Sequence, residues 1–471
     1  MLFSEPLFLF VFLPSFYAVY LLLNRRQGGR IGFVLLASFA FYAWSDPFFP
    51  FLVLASAGLD HLLARAIARR GGGRLLLTVG VLQNLGILVW FKYANFLVDN
   101  LDQVLTATGL PLVEIARVAL PVGVSFVVFE KITYLVDVHR GLTPPAGSFV
   151  RYLFYVFFFP KLLAGPIIKY HDIAGQIDAL PRPGWDDFAA GFLRFMLGVA
   201  KKTLIADTLA RGADMMFGEP GAAPGFSNAW WGVLFFTFQI YFDFSAYSDM
   251  AIGLARMLGV RLAENFNMPY IAASMTEFWH RWHISLTSWI REYLYIPLGG
   301  NRVTPSRRYA NLWICFLASG LWHGAAWNFV AWGAYNGAFL VLDRLFLLRL
   351  LGRLPPVVAN LITFGIVMVG WVLFRATSLA QAGDILAAMA NPWAAETRLG
   401  IMPTGDVLAA TLAAALICAA PRLPGFARLR DLAVTAPRLG LAVQTGLAVL
   451  FICAVGKAVA DPFTPFLYFR F

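Results

Sequence analysis

Runs of about twenty apolar residues recur along the whole chain, and they constrain the fold more than any other feature. One of them reads LLLTVGVLQNLGILVWF, at residues 75–91. A run of this length can cross the hydrocarbon core of a bilayer. Lipid cannot hydrogen-bond to the backbone, so a crossing segment must be a helix or part of a closed barrel. Barrel strands alternate apolar and polar residues and these runs do not, which predicts an all-α polytopic membrane protein.

The composition agrees with a chain that lies mostly in lipid. Hydrophobic residues make up 59% and charged residues 13% of the 471 positions, whereas soluble proteins are about one quarter charged. The net charge of +11 does not indicate nucleic-acid binding, because the Lys and Arg residues lie in short loops between the apolar runs. We therefore expect membrane lipid as the surroundings and no nucleic acid as a partner.

The apolar runs predict about eleven to thirteen crossings or partial crossings. The run 229–259 is too long for one straight span, so we expect it to tilt, kink or include a surface helix. No linker or internal repeat divides the chain, which predicts a single transmembrane domain over residues 1–471. The predicted spans are 6–23, 31–45, 47–67, 75–97, 118–137, 150–168, 187–208, 229–259, 309–322, 325–347, 357–375, 405–420 and 440–459.

Basic residues follow alternate spans, and this alternation predicts the orientation of the chain. Arginine clusters follow the first and third spans, and His139 and Arg140 follow the fifth. The intervening loops 45–49 and 98–114 contain no Lys or Arg. Positively charged loops stay in the cytoplasm, so we expect the amino terminus outside. The clusters are Arg25, Arg26 and Arg30, and then Arg65, Arg69, Arg70 and Arg74.

The stretch 272–308 differs from the apolar runs, because it is rich in Trp, Tyr and charged residues. We predict short amphipathic helices that lie at the membrane interface or dip into the protein. His280 and His283 are three positions apart, which on one helical face could bind a metal. The HExxH pattern is absent and no third ligand is evident, so no metal site is predicted.

His323 is an ionisable residue deep inside an apolar region, in the stretch SGLWHGAAWNF at 319–329. Such residues are costly in a membrane and indicate a functional site. The alternative is a neutral histidine that bonds to a backbone carbonyl of a neighbouring helix. Gly320 and Gly324 leave space beside the ring, although small residues also permit close helix packing. Nearby, Trp322 could line a tunnel and Asn328 could supply a hydrogen bond.

A buried histidine in this setting suits acyl transfer. Burial disfavours the charged imidazolium, and a neutral imidazole can take a proton from a hydroxyl that attacks an ester or thioester. No Ser-x-Gly elbow or reactive-cysteine motif accompanies His323. If the chain is an acyltransferase, direct transfer is therefore favoured over an acyl-enzyme.

Other charged residues also lie within the apolar runs, among them Glu130, Lys131, Asp243 and Asp249. Charges inside a membrane usually pair with one another within the helix bundle. Structural pairing is the first interpretation. A polar path leading to His323 is the alternative.

Two long motifs carry a family resemblance. They are FWHRWHISLTSWIREYLYIPLGGNR at 278–302 and SGLWHGAAWNFVAWGAYNG at 319–337. Through them the chain resembles the membrane-bound O-acyltransferase (MBOAT) family, and within it the bacterial alginate O-acetyltransferase-like branch. The supporting stretches are SFAFYAW (38–44), LPVGVSFVVFEKITYLVDVHRG (120–141), FPKLLAGPI (159–167), YFDFSAYSDMAIGLARMLG (241–259), ENFNMPY (264–270) and PFLYFRF (465–471).

The resemblance implies a fold and a site. The fold is a ring of about eleven or more tilted transmembrane helices, with short amphipathic or re-entrant helices, around a central tunnel. The family's essential membrane histidine matches His323, and a second important histidine matches His283. Position 280 is commonly another polar residue in the family, so His280 is not expected to be catalytic. Candidate tunnel-lining residues are Trp279, Trp282, Trp322 and Asn328.

The resemblance also implies an activity. Acetyl groups would pass from cytoplasmic acetyl-CoA across the bacterial inner membrane for O-acetylation of an extracellular, alginate-like polysaccharide. Periplasmic acetyltransferase proteins would be partners, and no permanently bound cofactor is implied. The alternatives are another acceptor (cellulose, peptidoglycan, or D-alanylation of teichoic acid), a non-enzymatic transporter with a proton relay, and a scaffold that recruits a transferase.

Overall fold

A computed structural model describes residues 1–23, 27–69, 73–113, 115–218, 224–393, 403–461 and 464–467. Within these ranges the chain is helical and contains no β-strand, which confirms the all-α prediction. Residues outside these ranges include several that carried predictions. They are Arg25, Arg26, Arg70, position 114 of the acidic loop, and residues 468–471 of the carboxyl-terminal motif.

The chain divides into two compact units, and the predicted single domain over 1–471 stays a prediction. The first unit contains Met1–Phe192 and Ala251–Ala263. Its helices are α1 (Leu13–Leu22), α2 (Gln27–Ser45), α3 (Phe49–Arg69), α4 (Arg74–Leu88), α5 (Ala94–Thr108), α6 (Val124–His139), α7 (Phe149–Phe157), α8 (Phe159–Leu162), α9 (Tyr170–Asp178) and the first part of α10 (Trp185–Ala200).

The second unit contains Leu193–Met250 and Glu264–Phe471. Its helices are the rest of α10, α11 (Asp207–Phe217), most of α12 (Phe226–Met257), α13 (Met275–Arg281), α14 (Ile284–Ile290), α15 (Pro305–His323), α16 (Trp327–Leu342), α17 (Leu348–Leu351), α18 (Pro356–Arg375), α19 (Leu379–Ala390), α20 (Gly405–Ala419), α21 (Phe426–Thr435) and α22 (Pro437–Ala460). Turns of π-helix occur at Phe8–Phe12, Val89–Tyr93, Lys201–Ala206, Arg291–Tyr295 and Asp343–Leu347, and turns of 3₁₀-helix at Pro269–Ile271 and Ala420–Arg422.

Five helical segments of the described chain are long and apolar enough to cross a membrane. This finding supports a multi-pass membrane protein, while the larger number of crossings stays a prediction. The segments are Phe49–Arg69, Arg74–Thr108, Pro356–Arg375, Gly405–Arg422 and Pro437–Ala460.

The predicted span 150–168 is not one continuous helix, and whether it crosses the membrane stays a prediction. Helix α7 ends at Phe157, and the four-residue α8 begins after Phe158. Pro160 has no N–H to continue the helical ladder. The N–H of Phe159 donates instead to Oγ of Ser38 at 3.1 Å.

The short helices predicted within 272–308 are confirmed, while their place at the membrane interface stays a prediction. The stretch forms the short helices α13 and α14, followed by a π-helical turn. Gly299 and Gly300 then adopt positive φ angles of 104° and 54°, which glycine tolerates without a steric penalty. The segment is therefore built from short elements and is not one membrane span.

Glu130 and Lys131 of the first unit are paired with opposite charges, as predicted. Lys131 lies 3.3 Å from Asp60, and Lys161 bonds to Glu130. All four side chains are almost completely enclosed. Pairing offsets the cost of removing each charge from water, so these residues are accounted for structurally.

Candidate functional site

His323 is the last residue of α15, and close contact between two helices determines its position. A Cβ atom added at Gly320 would lie 2.3 Å from the backbone oxygen of Phe329 in α16. A Cβ atom at Gly324 would lie 2.1 Å from the ring of the same phenylalanine. Both glycines therefore permit close helix packing, and Phe329 occupies the space that was predicted beside the His323 ring.

Aromatic rings enclose the His323 side chain, which is 5% exposed. Its ring centroid lies 4.9 Å from that of Trp322, 5.0 Å from Trp332 and 5.4 Å from Phe374. All three contacts are edge-to-face. Trp332 and Phe374 come from α16 and α18, so three helices form this environment.

His283 lies between α13 and α14 and is fully buried. Helix α13 ends at Arg281, Trp282 is extended, and His283 has a φ of 45°. The exposed His280 therefore does not share a helical face with His283, and that interpretation of their spacing is wrong. The helix ends between the two histidines.

The two candidate histidines lie close together. Their ring centroids are 6.3 Å apart and the ring planes are inclined by 58°. Trp322 also faces His283, with centroids 6.0 Å apart. Residues from α15 and from the α13–α14 junction therefore meet at one buried place.

Asn265 is a polar partner of His283 that the sequence interpretation did not identify. Its Oδ1 lies 3.1 Å from Nδ1 of His283 and accepts from the backbone N–H of Ser285 at 3.2 Å. Its Nδ2 donates to Oγ of Ser248 at 3.2 Å. Asn265 belongs to the ENFNMPY stretch used only for the family resemblance, which was the available signal.

The electrostatic setting of His283 follows from its enclosure. His283 lies outside the five candidate spans and is surrounded by protein. Burial lowers the pKa of its imidazole to about 3, because the charged form would lose its hydration. The side chain is therefore neutral near pH 7.

The candidate tunnel tryptophans are all buried. Trp279 packs against Phe316 with centroids 5.0 Å apart, and Trp282 packs against Trp371 at 4.9 Å. Both belong to the main hydrophobic core of the second unit. Their role as tunnel walls stays a prediction.

Asn328 is engaged with the end of a helix. Its Nδ2 donates to the backbone oxygen of Ala376 at 2.8 Å and to that of Leu373 at 3.3 Å. These carbonyls lie at the carboxyl end of α18, where a helix leaves its last acceptors unsatisfied. The amide therefore caps α18, and a role in a tunnel stays a prediction.

Asp243 and Asp249 of the second unit are paired with cations, as predicted. Lys202 bonds to Asp243 at 2.8 Å and to Asp207 at 2.7 Å. Asp249 accepts from Arg194 at 2.6 Å and from Lys201 at 2.8 Å. Structural pairing explains both aspartates that were predicted within α12.

The sequence of this chain is similar to those of known acyltransferases. A sequence model described as "MBOAT, membrane-bound O-acyltransferase family" matches residues 133–379, a range that includes both histidines. The probable alginate O-acetylase AlgI of Azotobacter vinelandii is 39% identical over 100% of both chains.

Two further relatives are named for other activities. The peptidoglycan O-acetyltransferase of Helicobacter pylori is 35% identical over 83% of this chain and 80% of its own. The teichoic acid D-alanyltransferase of Bacillus subtilis is 26% identical over 48% of this chain and 59% of its own. The similarity thus extends across proteins named for the acylation of alginate, peptidoglycan and teichoic acid.

Proposed function

The chain belongs to the membrane-bound O-acyltransferase family and is an acyltransferase, and from this premise we propose that it acetylates an extracellular polysaccharide. The acetyl group comes from a cytoplasmic donor and crosses the bacterial inner membrane. The acceptor is an alginate-like polymer. The full-length similarity to a probable alginate O-acetylase supports this choice of group and acceptor.

The observation that carries the proposal is the buried pair His283 and His323, with ring centroids 6.3 Å apart. His323 acts as the general base and takes the proton of the acceptor hydroxyl. The hydroxyl oxygen forms a bond to the acetyl carbonyl carbon as the carbon–sulfur bond of the thioester breaks. The proton then passes from the imidazole to the leaving thiolate.

The donor, a tunnel and partner proteins bring the acetyl group to and from this histidine pair. Acetyl-CoA is the donor, and no cofactor is held permanently. The acyl group moves through a tunnel lined by Trp279, Trp282, Trp322 and Asn328, within a ring of about eleven or more tilted helices. Periplasmic acetyltransferase proteins are partners that help place the acetyl group on the polymer. Aromatic enclosure of His323 supports a site from which water is excluded.

A different acceptor is the second candidate. The Helicobacter pylori relative is named for peptidoglycan and aligns with 83% of this chain. Peptidoglycan acetylation would use the same donor and the same histidines. The teichoic acid relative covers only 48% of the chain, which gives D-alanylation less support.

The test is the variant His323→Ala, assayed for polymer-bound acetate after its membrane insertion is confirmed. Loss of acetylation is expected. Wild-type acetylation would contradict the catalytic role and favour a scaffold. His280→Ala is the matched control, because His280 is exposed and lies outside the histidine pair.

A second measurement separates an enzyme from a transporter. Radiolabelled acetyl-CoA is supplied to membrane vesicles that contain the protein, its partners and one purified polymer at a time. Label bound covalently to the polymer supports the proposal, and comparing alginate with peptidoglycan identifies the acceptor. Transport of the label across the membrane without a covalent product would contradict the proposal that the chain transfers acetyl groups.

A further inference from the structure

Asn265 contacts His283 through an atom whose identity can be assigned. The oxygen and nitrogen ends of an asparagine amide are distinguished by their hydrogen-bond partners. The backbone N–H of Ser285 can only donate, so the amide end that faces it at 3.2 Å is the oxygen. Oγ of Ser285 donates to the same oxygen at 2.9 Å.

The opposite end of the amide is consistent with this assignment. Nδ2 of Asn265 faces Oγ of Ser248 at 3.2 Å, and a hydroxyl oxygen can accept a hydrogen bond. Both ends of the amide therefore have suitable partners. The orientation of the Asn265 side chain is determined by residues other than His283.

This orientation determines where the proton of His283 lies. Nδ1 of His283 is 3.1 Å from the assigned oxygen of Asn265, so Nδ1 must carry a hydrogen to form this bond. A neutral imidazole has one N–H, and its other nitrogen is then an acceptor. Burial lowers the pKa of His283 to about 3, which excludes the doubly protonated form near pH 7.

We propose that Asn265 is a positioning residue that holds His283 as the Nδ1–H tautomer, so that Nε2 accepts a hydrogen bond from a hydroxyl of the acceptor other than the one that His323 deprotonates. A carbonyl oxygen has no hydrogen to donate to Nε2. His283 therefore orients the hydroxyl substrate and does not polarise the acyl carbonyl. This inference rests on the proposed function only for the identity of the substrate group.

The backbone supports the same arrangement. A φ of 45° is unusual for a residue with a side chain and persists only where the surroundings hold it. The N–H of Ile284 donates to the backbone oxygen of Asn265 at 2.9 Å. Asn265 thus holds His283 through its side chain and holds the next residue through its backbone.

A neighbouring ion-pair bridge holds the Asn265 segment against α12. Arg194 bonds to Glu264 and to Asp249, each at 2.6 Å. Glu264 and Asp249 are adjacent in sequence to Asn265 and Ser248, respectively. The side chains of Asn265 and Ser248 are hydrogen-bonded to each other. The Arg194 ion pairs and the Asn265–Ser248 hydrogen bond therefore both fix the segment. Only the hydrogen bond involves the residue that contacts His283.

The first test measures the tautomer directly and needs no acyl transfer. The protein is labelled with ¹⁵N in its histidine rings and placed in lipid nanodiscs for solid-state NMR. The signals of His283 are assigned by their loss in His283→Gln. The proposal expects a protonated Nδ1 and an unprotonated Nε2 in the wild type, and a changed ratio in Asn265→Ala. The opposite tautomer in the wild type would overturn it.

The second test uses acetyl transfer to a soluble oligosaccharide acceptor. Asn265→Ala should lower kcat about tenfold to a hundredfold, the range found when a residue that orients a metal-bound imidazole is removed. Asn265→Asp keeps an oxygen beside Nδ1, so it should retain the tautomer. Its added negative charge should raise the pKa of His283 and move the acidic limb of the pH–rate profile upward.

Glu264→Gln is the matched control, because it weakens the ion-pair bridge and leaves the Asn265–His283 bond intact. Its kcat should stay within about twofold of wild type, because partly exposed ion pairs contribute little to stability. Equal losses in Glu264→Gln and Asn265→Ala, with an unchanged tautomer, would reduce Asn265 to a structural role. If His323→Ala retains activity and the tautomer of His283 is as expected, the role of His323 as general base is refuted. The role of Asn265 as a positioning residue then stands.

Discussion

The rings of His283 and His323 lie 6.3 Å apart, although one ends α15 and the other joins two short helices of a separate stretch. Each histidine is buried. Their proximity depends on the segments that pack around them, so substitutions in that packing have predictable effects on stability and activity.

Replacing Gly320 by Ala should destabilise the helix pair α15–α16. The new Cβ would lie 2.3 Å from the backbone oxygen of Phe329. The backbone of a helix cannot move aside as a flexible side chain can, so the two helices would be forced apart. Overpacking of this kind costs about 1–3 kcal/mol. The measurement is thermal unfolding of the purified protein in nanodiscs.

Gly365→Ala is the control, since nothing lies within 4 Å of its added Cβ. It sits in α18, where Ala has a higher helix propensity than Gly. Gly365→Ala should leave the unfolding temperature unchanged or raise it. An unchanged unfolding temperature in Gly320→Ala would contradict the close contact between the helices.

Removing the charge of Lys202 should strongly destabilise the second unit. Its ammonium group bonds to Asp243 and Asp207, and its side chain is 2% exposed. Lys202→Met would leave two carboxylates without their cation, and breaking a buried pair costs about 3–5 kcal/mol. Expression level and thermal unfolding report the change. Asp431→Asn, in the exposed pair with Arg430, should have almost no effect.

Replacing Asn328 by Ala should lower stability by about 1–3 kcal/mol, because two carbonyls of α18 lose their donor in a buried place. If the residue serves only as this cap, the activity per folded molecule should stay near that of wild type. Activity normalised to the folded fraction is the measurement. A further drop in kcat/KM beyond the folded fraction would indicate contact with substrate.

The buried His283 should make the protein sensitive to acid. Its pKa is about 3 in the folded protein and about 6.5 in an unfolded chain. Between these values the unfolded state binds a proton that the folded state does not, so stability falls as pH decreases from about 6.5 towards 3. Stability does not depend on this group above that range.

The measurement is denaturant unfolding at pH 7 and pH 4 for the wild type and for His283→Gln. The glutamine variant should lose less stability between the two pH values, because one titrating group has been removed. Equal losses in both proteins would show that His283 titrates alike in the folded and unfolded states.

Much of the architecture could be predicted from the residues alone. A crossing segment must be a helix or part of a closed barrel, and the absence of apolar–polar alternation in the long apolar runs left the helix. The amphipathic stretch 272–308 was recognised from its Trp, Tyr and charged residues. His323 stood out because an ionisable group in an apolar run is costly. These conclusions depend on local composition, which the sequence contains in full.

The site itself was decided by tertiary structure. The break between His280 and His283, the contact of Gly320 with Phe329, and the bond from Asn265 to His283 all join residues from different segments. Their hydrogen bonds and close approaches arise from packing. The sequence therefore identified His323 by its apolar surroundings and His283 by the family resemblance, and only the folded chain determined their separation and the tautomer of His283.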